Sequence, residues 1–239
     1  MGLCESSPSF LLRALLLVCT LYRGFAFGLE ANLNATLTID ASPESGRRIP
    51  EKLFGIFFEE INHAGAGGLW AELVSNRGFE AGGPNVPSNI DPWSIIGNES
   101  FIVVSTDRSS CFERNKIALR MEVICDKEGS NICPYGGVGI YNPGYWGMNI
   151  EQGKAYKVVL HIRSLGSVNV SVSLTSSDGL QNLATSNIIS EASDVSDWKK
   201  VELILVSKGT NRNSRLQLTT TKNGVIWFDQ VSVMPLDTY

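Results

Sequence analysis

Two adjacent carboxylates, Glu59 and Glu60, close a nearly continuous apolar run that begins at Leu53. Paired carboxylates can divide general-acid and general-base work, but neighbours on a strand point to opposite faces and cannot flank one bond. A pair that hydrolyses a glycoside with retention sits about 5 to 5.5 Å apart, on different strands. Glu59 alone shares the parity of Gly55 and Phe57 at the carboxyl end of the run, the position for a pocket residue. His63 follows it and is a candidate to hydrogen-bond a substrate there. The second candidate region is Cys133 to Trp146, where Tyr135, Tyr141, Tyr145 and Trp146 sit among glycines and prolines. It reads as an exposed loop whose aromatic faces could stack on the C–H surfaces of sugars. Trp93, Trp198 and Trp227 lie at strands or strand boundaries and are assigned to the core.

The elements that must position these residues are of two kinds. Leu53 to Glu59 suits a strand buried on both faces, and Leu69, Trp70, Leu73 and Val74 fall at helical spacing, so residues 53–76 read as one βα unit. A lone parallel strand cannot satisfy its own ladder, and the sequence is therefore expected to be the front end of a longer protein. Before it, Thr36 to Asp40 alternates like a short strand. After Phe101 period-two alternation takes over. Ile117, Leu119, Met121 and Val123 line one strand face; Tyr156, Val158, Leu160 and Ile162 a second; Val168, Val170, Val172 and Leu174 a third. Residues 201–206, 216–220 and 225–233 continue the pattern. The expected class is mainly β, a jelly-roll β-sandwich preceded by the first βα unit of a truncated (β/α)8 barrel.

Ala14 to Leu21 is an apolar run flanked by Arg13 and by small residues at Gly24 and Ala26, which predicts a secretory leader cleaved near Ala26. The run is too short to span a bilayer. Met1-Gly2-Leu3-Cys4-Glu5-Ser6 also fits a myristoylation pattern, yet an acylated protein has no need of the apolar run. Asn-x-Ser/Thr acceptors at Asn34, Asn98 and Asn169 agree with secretion. The formal charge is −4, and a leader carrying Glu5, Arg13 and Arg23 removes two basic residues and one acidic. The more acidic remainder argues against a nucleic-acid partner. Cys111, Cys125 and Cys133 then remain, an odd number. One pair and one lone thiol, or a partner outside the chain, are expected, and the sequence does not choose among the pairings. Two histidines far apart, with no Cys-x-x-Cys pair beside either, argue against structural zinc. No phosphate-binding glycine loop or Ser/His/Asp signature occurs.

Phe54-Gly55-Ile56-Phe57-Phe58-Glu59-Glu60-Ile61-Asn62-His63, Gly67-Gly68-Leu69-Trp70-Ala71-Glu72-Leu73 and Asn76-Arg77-Gly78-Phe79-Glu80 together resemble the opening of the family 51 glycoside hydrolases, the plant-type α-L-arabinofuranosidases. Asp91-Pro92-Trp93-Ser94, Gly153-Lys154-Ala155-Tyr156, Trp198-Lys199-Lys200-Val201 and Trp227-Phe228-Asp229-Gln230-Val231-Ser232-Val233 resemble a carbohydrate-binding module of the family 4/9 kind, inserted after the first βα unit. The resemblance implies a signal peptide at 1–26, the strand and incomplete barrel unit at 27–81, the module at 82–235 and the resumed barrel at 236–239. It implies a secreted retaining hydrolase of the extracellular matrix or cell wall, acting on terminal non-reducing α-L-arabinofuranosides. Its polysaccharide partners would be arabinoxylan, arabinan and xylan, with no membrane contact once the leader is gone. It makes Glu59 a substrate-binding residue, and Glu80 and Asp229 positions where related modules hold a structural calcium, no other cofactor being implied. No segment matches the family's acid/base or nucleophile motif, so this chain alone is expected to be inactive. The alternative class is a non-catalytic carbohydrate-binding protein.

Overall fold

The computed structural model describes residues 13, 15–18, 35–53, 55, 59, 61–83 and 85–238. The chain divides into two compact units, Met1–Ile56 and Phe57–Tyr239. In the first, residues 15–18 of the expected leader are helical and exposed, and the expected cleavage point lies outside the described residues. No described helix is long and apolar enough to cross a membrane. The strand expected over Thr36–Asp40 is not formed: the segment is irregular, with Leu37 and Ile39 largely exposed. Alternation supplies a strand face but no partner, and an unpaired strand leaves its ladder groups to water. Asp40 instead accepts the Ser42 N–H at 3.0 Å and opens a turn, while its carbonyl accepts the Ser45 hydroxyl at 2.7 Å.

The expected βα unit is not formed among the described residues. Of the strand, Leu53, Gly55 and Glu59 have no strand conformation, and Phe54, Ile56 to Phe58 and Glu60 lie outside the described residues. The expected helix over 69–76 is absent; a π-helical turn, Ala64–Leu69, precedes it. The Trp70 and Glu72 amides donate back to the Gly65 and Ala66 carbonyls. Ala71 then turns left-handed at φ 55°, and the Leu73 N–H donates to the Val233 carbonyl at 2.9 Å rather than to a helical turn. A tertiary partner for the backbone outweighs a weak helical period.

From Ser94 onward eleven strands form: β1 (Ser94–Ile96), β2 (Ile102–Asp107), β3 (Ala118–Val123), β4 (Val138–Asn142), β5 (Met148–Ile150), β6 (Ala155–Ser164), β7 (Val168–Ser176), β8 (Asn182–Ser190), β9 (Lys199–Val206), β10 (Asn211–Thr220) and β11 (Gly224–Pro235). One sheet has the order β1-β4-β10-β7-β8, with β5 also on β10, and the other β2-β3-β11-β6-β9. Every pairing between them is antiparallel. The period-two residues read from the sequence meet in one core shared by both sheets: Leu119, Met121, Tyr156, Leu160, Ile162, Val170, Val172 and Leu174 are all essentially buried. Each such side chain contributes about 1.5–3 kcal/mol over its exposed state. Where β4 meets β10, Gly139 permits the approach, since a Cβ there would lie 1.9 Å from the Leu218 carbonyl oxygen.

The segment ahead of β1 is part of this core. Phe79 and Trp93 are buried with ring centroids 5.1 Å apart, and the Trp93 indole N–H donates to the Asn76 carbonyl. Glu72, 1% exposed, clamps it to β11. One carboxylate oxygen accepts the Val74 and Val233 amides at 3.0 and 2.9 Å, and the other the Ser232 hydroxyl at 2.6 Å. Cys125 and Cys133 form a disulfide and Cys111 keeps a free thiol, which settles the pairing. Trp93 and Trp227 are buried as expected, whereas Trp198 is only half-buried, its indole N–H donating to the Ser109 carbonyl at 2.9 Å. Trp198 precedes β9, an edge strand of its sheet, and the Arg163 guanidinium lies over its ring at 5.2 Å.

Replacing Glu72 by Ala strands three donors in the interior, at a cost of about 3 kcal/mol. Thermal unfolding followed by circular dichroism is expected to show the midpoint falling by about 10 °C. An unchanged midpoint would mean that the clamp does not form.

Candidate functional site

The outer face of the six-stranded sheet carries a continuous row of polar groups. Strand register sets Tyr141 on β4 opposite Gln217 on β10, Gln217 opposite Ser173 on β7, and Ser173 opposite Thr185 on β8. The Ser173 and Thr185 hydroxyls lie 3.0 Å apart, and Ser171 adds a third hydroxyl 3.4 Å from Ser173. At the β4 end the Arg215 guanidinium stacks over the Tyr141 ring at 4.1 Å and donates to the Ser177 carbonyl at 2.8 Å. With its amide oxygen turned to the guanidinium, Gln217 accepts from Arg215 at 2.7 and 2.9 Å. A planar cation locked on an aromatic ring, beside a shelf of short hydroxyls, offers one stacking surface and several donors and acceptors. Tyr141 was read as part of a loop; it belongs to β4, because Val138 and Ile140 are buried and make 138–142 an alternating strand. Arg215 and Gln217 were not singled out. Their signal was the polar half of the alternation whose apolar half is Leu216 and Leu218.

A second cluster lies at the turn after β4. Buried Asn142 donates to the Ser75 carbonyl and accepts the Ser75 and Gly144 amides, binding that turn to residues 73–75. At Gly144, φ is 75° and a Cβ would meet the Leu73 carbonyl oxygen at 2.8 Å, so glycine is required. The turn presents Tyr145 and Trp146 to His63, with ring centroids 4.6 and 5.4 Å from the imidazole. Two candidates read from separate regions are thus in contact. His63 and the preceding Asn62 both hold left-handed backbone, φ 59° and 52°. Tyr135 stands fully exposed in the Pro134–Gly137 turn, and none of the ring contacts here includes it. Glu59 is exposed, with its carbonyl accepting the Ile61 amide at 2.9 Å.

Glu80 and Asp229, the expected calcium positions, each accept hydrogen bonds from protein donors. Asp229, on β11 and fully buried, accepts the Ser110 hydroxyl at 2.6 Å, the Cys111 amide and thiol at 3.1 and 3.3 Å, and the Gln230 amide at 2.7 Å. Glu80 accepts the Ile117 amide at 2.9 Å. Among the described residues no three His, Cys, Asp or Glu side chains converge as metal ligands. Of the glycan acceptors, Asn98 is exposed in a turn, its side-chain oxygen accepting the Ser100 amide, and Asn169 is exposed on β7. Asn34 lies outside the described residues. Burial first, and then the Asp229 charge, push the Cys111 thiol up to about 12.

No protein-family model matches the chain. It is 71% identical over 204 residues to α-L-arabinofuranosidase 2 of Arabidopsis thaliana, and 70% identical over 204 residues to α-L-arabinofuranosidase 1 of the same plant. Each match covers 85% of this chain and 30% of the relative, so the chain spans under a third of their length. The extracellular exo-α-L-arabinofuranosidase of Streptomyces chartreusis is 29% identical over 207 residues, which cover 85% of this chain and 22% of that protein. An arabinose-bound family 51 α-L-arabinofuranosidase shares the fold, with a TM-score of 0.62 at 24% identity over 74% of this chain and 28% of that one. Over most of its length the chain is therefore similar to a part of the two Arabidopsis α-L-arabinofuranosidases, the resemblance its motifs implied.

A thiol held near pKa 12 is almost wholly protonated at pH 8, so its alkylation depends on the fold. Iodoacetamide at pH 8 is expected to label Cys111 in the native leaderless chain at least about a hundredfold more slowly than in urea. Equal rates would place the thiol away from Asp229.

Proposed function

We propose that this chain is the part of a secreted α-L-arabinofuranosidase that presents polysaccharide to the enzyme's catalytic centre. The whole protein would hydrolyse terminal non-reducing α-L-arabinofuranosides of cell-wall arabinoxylan or arabinan. The observation that carries the proposal is the 71% identity to an Arabidopsis α-L-arabinofuranosidase across 85% of the chain. Identity at that level over a core and its connecting segments supports a common architecture. In this reading residues 82–235 act as a jelly-roll carbohydrate-binding module, onto whose core the segment from Glu72 to Phe79 also packs. Glu59 and His63 would contact the arabinose, and the family's two reacting glutamates lie elsewhere. The leader would deliver the protein to the extracellular matrix, where an N-terminus near Phe27 on secreted material is the expected mass-spectrometric signature.

The second reading, a non-catalytic carbohydrate-binding protein, has its own support in the hydroxyl row beside Tyr141 and Arg215. Hydroxyl rows and a cation-backed ring suit neutral polysaccharide, whose hydroxyls exchange water for protein partners and whose C–H faces cover aromatic carbon. Both readings require sugar binding, and they part on whether any arabinose is released by the protein that carries this chain.

Affinity electrophoresis through arabinoxylan, xylan and arabinan is expected to retard the chain on at least one polymer. Tyr141→Ala and Arg215→Ala should each weaken binding by about tenfold, the loss of one stacking or charge-assisted contact. Retardation untouched by both substitutions, but lost in Tyr145→Ala with Trp146→Ala, would move the platform to the His63 cluster. The same chain should release no arabinose from an aryl arabinofuranoside; release above a blank would overturn the division of labour proposed here.

A further inference from the structure

The outer face of the five-stranded sheet holds a cavity of about 380 Å³, inside the range of about 300–1,000 Å³ that small ligands occupy. Its floor follows from register. Ser232 on β11, Val159 on β6 and Glu202 on β9 form one row, and His161 and Lys200 the next. The rim comes from outside the sheet, with Trp70 and Arg77 on one side and Phe112 on the other. Phe112 meets the His161 ring edge-on, centroids 5.3 Å apart.

Among the described residues, two buried side-chain polar atoms have no hydrogen-bond partner, the Arg77 Nε and the His161 Nδ1. Both residues line this cavity. Unpaired buried polar atoms are rare because each forfeits about 1–3 kcal/mol of hydration. The neighbouring acids cannot serve them. Glu72 stands 3.8 Å from the Arg77 guanidinium with its oxygens taken by three closer donors, and Asp229 beside His161 already accepts four. Glu202 is held between Lys157 at 2.7 Å and Lys200 at 2.6 Å, one carboxylate for two ammonium groups. Those two hydrogen bonds, Lys157 first, lower its pKa to about 2, so it stays ionised and committed. Burial lowers the pKa of His161, which favours its neutral form, and its Nδ1 is open to a hydrogen bond with a hydroxyl.

We propose that this cavity binds a uronic-acid residue of a polysaccharide, its carboxylate on Arg77 and Lys200, a ring hydroxyl on His161, and its C–H face against Phe112. A carboxylate satisfies the orphaned guanidinium donor and the surplus ammonium charge; a neutral sugar satisfies neither charge. A bare anion leaves His161 and the aromatic rim unused. The site lies on the opposite sheet from the Tyr141–Arg215 face and does not depend on the enzyme reading.

The test is an NMR titration of the chain with sodium glucuronate, glucose and sodium acetate in parallel. Glucuronate is expected to bind at least about tenfold more tightly than either of the others, shifting the His161 ring signals. Arg77→Gln should lower its affinity by about tenfold, and Lys200→Gln, on an exposed strand position, by about threefold with an unchanged melting midpoint. The Lys200 variant carries the test should Arg77→Gln disturb folding. Glucose binding as well as glucuronate would overturn the charge assignment, and acetate binding as well would overturn the sugar. Loss of neither affinity in the two variants would overturn the site.

Discussion

A single carboxylate, that of Glu72, fixes how the chain ahead of the strands meets the sandwich. It is buried, and three donors from two segments far apart in sequence converge on it, Val74 on its own side and Ser232 and Val233 on β11. Charge-assisted hydrogen bonds of this kind are roughly twice as strong as neutral ones, and removing the acceptor leaves every donor dry. The local helical pattern loses to it. Leu73 gives its amide to Val233, the segment crosses the sheet instead of coiling, and Arg77 is carried to the rim of the cavity.

The partner of that clamp is the bulge in β11, where pairing with β6 shifts between Asp229 and Ser232. Gln230 turns left-handed there, φ 47°, and the Val231 amide is freed to donate to the Arg77 carbonyl at 2.8 Å. Bulges re-aim side chains and interrupt pairing, and this one does both. It sends Asp229 to the 110–111 turn, and Ser232 to Glu72. Asn142 does similar work on the other sheet, tying the turn of Tyr145 and Trp146 to Ser75. The cavity rimmed by Arg77 and the His63 cluster therefore both depend on segment 72–77 lying where it does.

Much of this fold was legible and some was not, for physical reasons. β3, β6, β7 and β10 announce themselves because each buries one face, so apolar residues alternate over several positions. β4 is hidden among glycines and a proline: Gly139 has no side chain to mark its face, and Tyr141 reads as a loop aromatic. β1 and β5 are three residues each, too short for a period. The apparent helix at 69–76 misled because Leu73 and Val74 serve the sandwich core, while Trp70 stays half exposed. Of the candidate residues, His63 and the Tyr145–Trp146 pair were each visible as types, but their contact required the Asn142 anchor, a single buried amide with no sequence periodicity. Arg215 and Gln217 occupied the face of β10 that core-finding passes over.

The account rests on the Glu72 clamp being as durable as the sheets themselves, and native-state hydrogen exchange reads that residue by residue. The Val74 and Val233 amides, which both donate to Glu72, should exchange only through global unfolding, with the same protection as the Phe228 amide in the middle of β11. Exchange of Val74 at the rate of an exposed loop, with Phe228 still protected, would show that the segment opens independently and would contradict the arrangement on which the cavity and the His63 cluster depend.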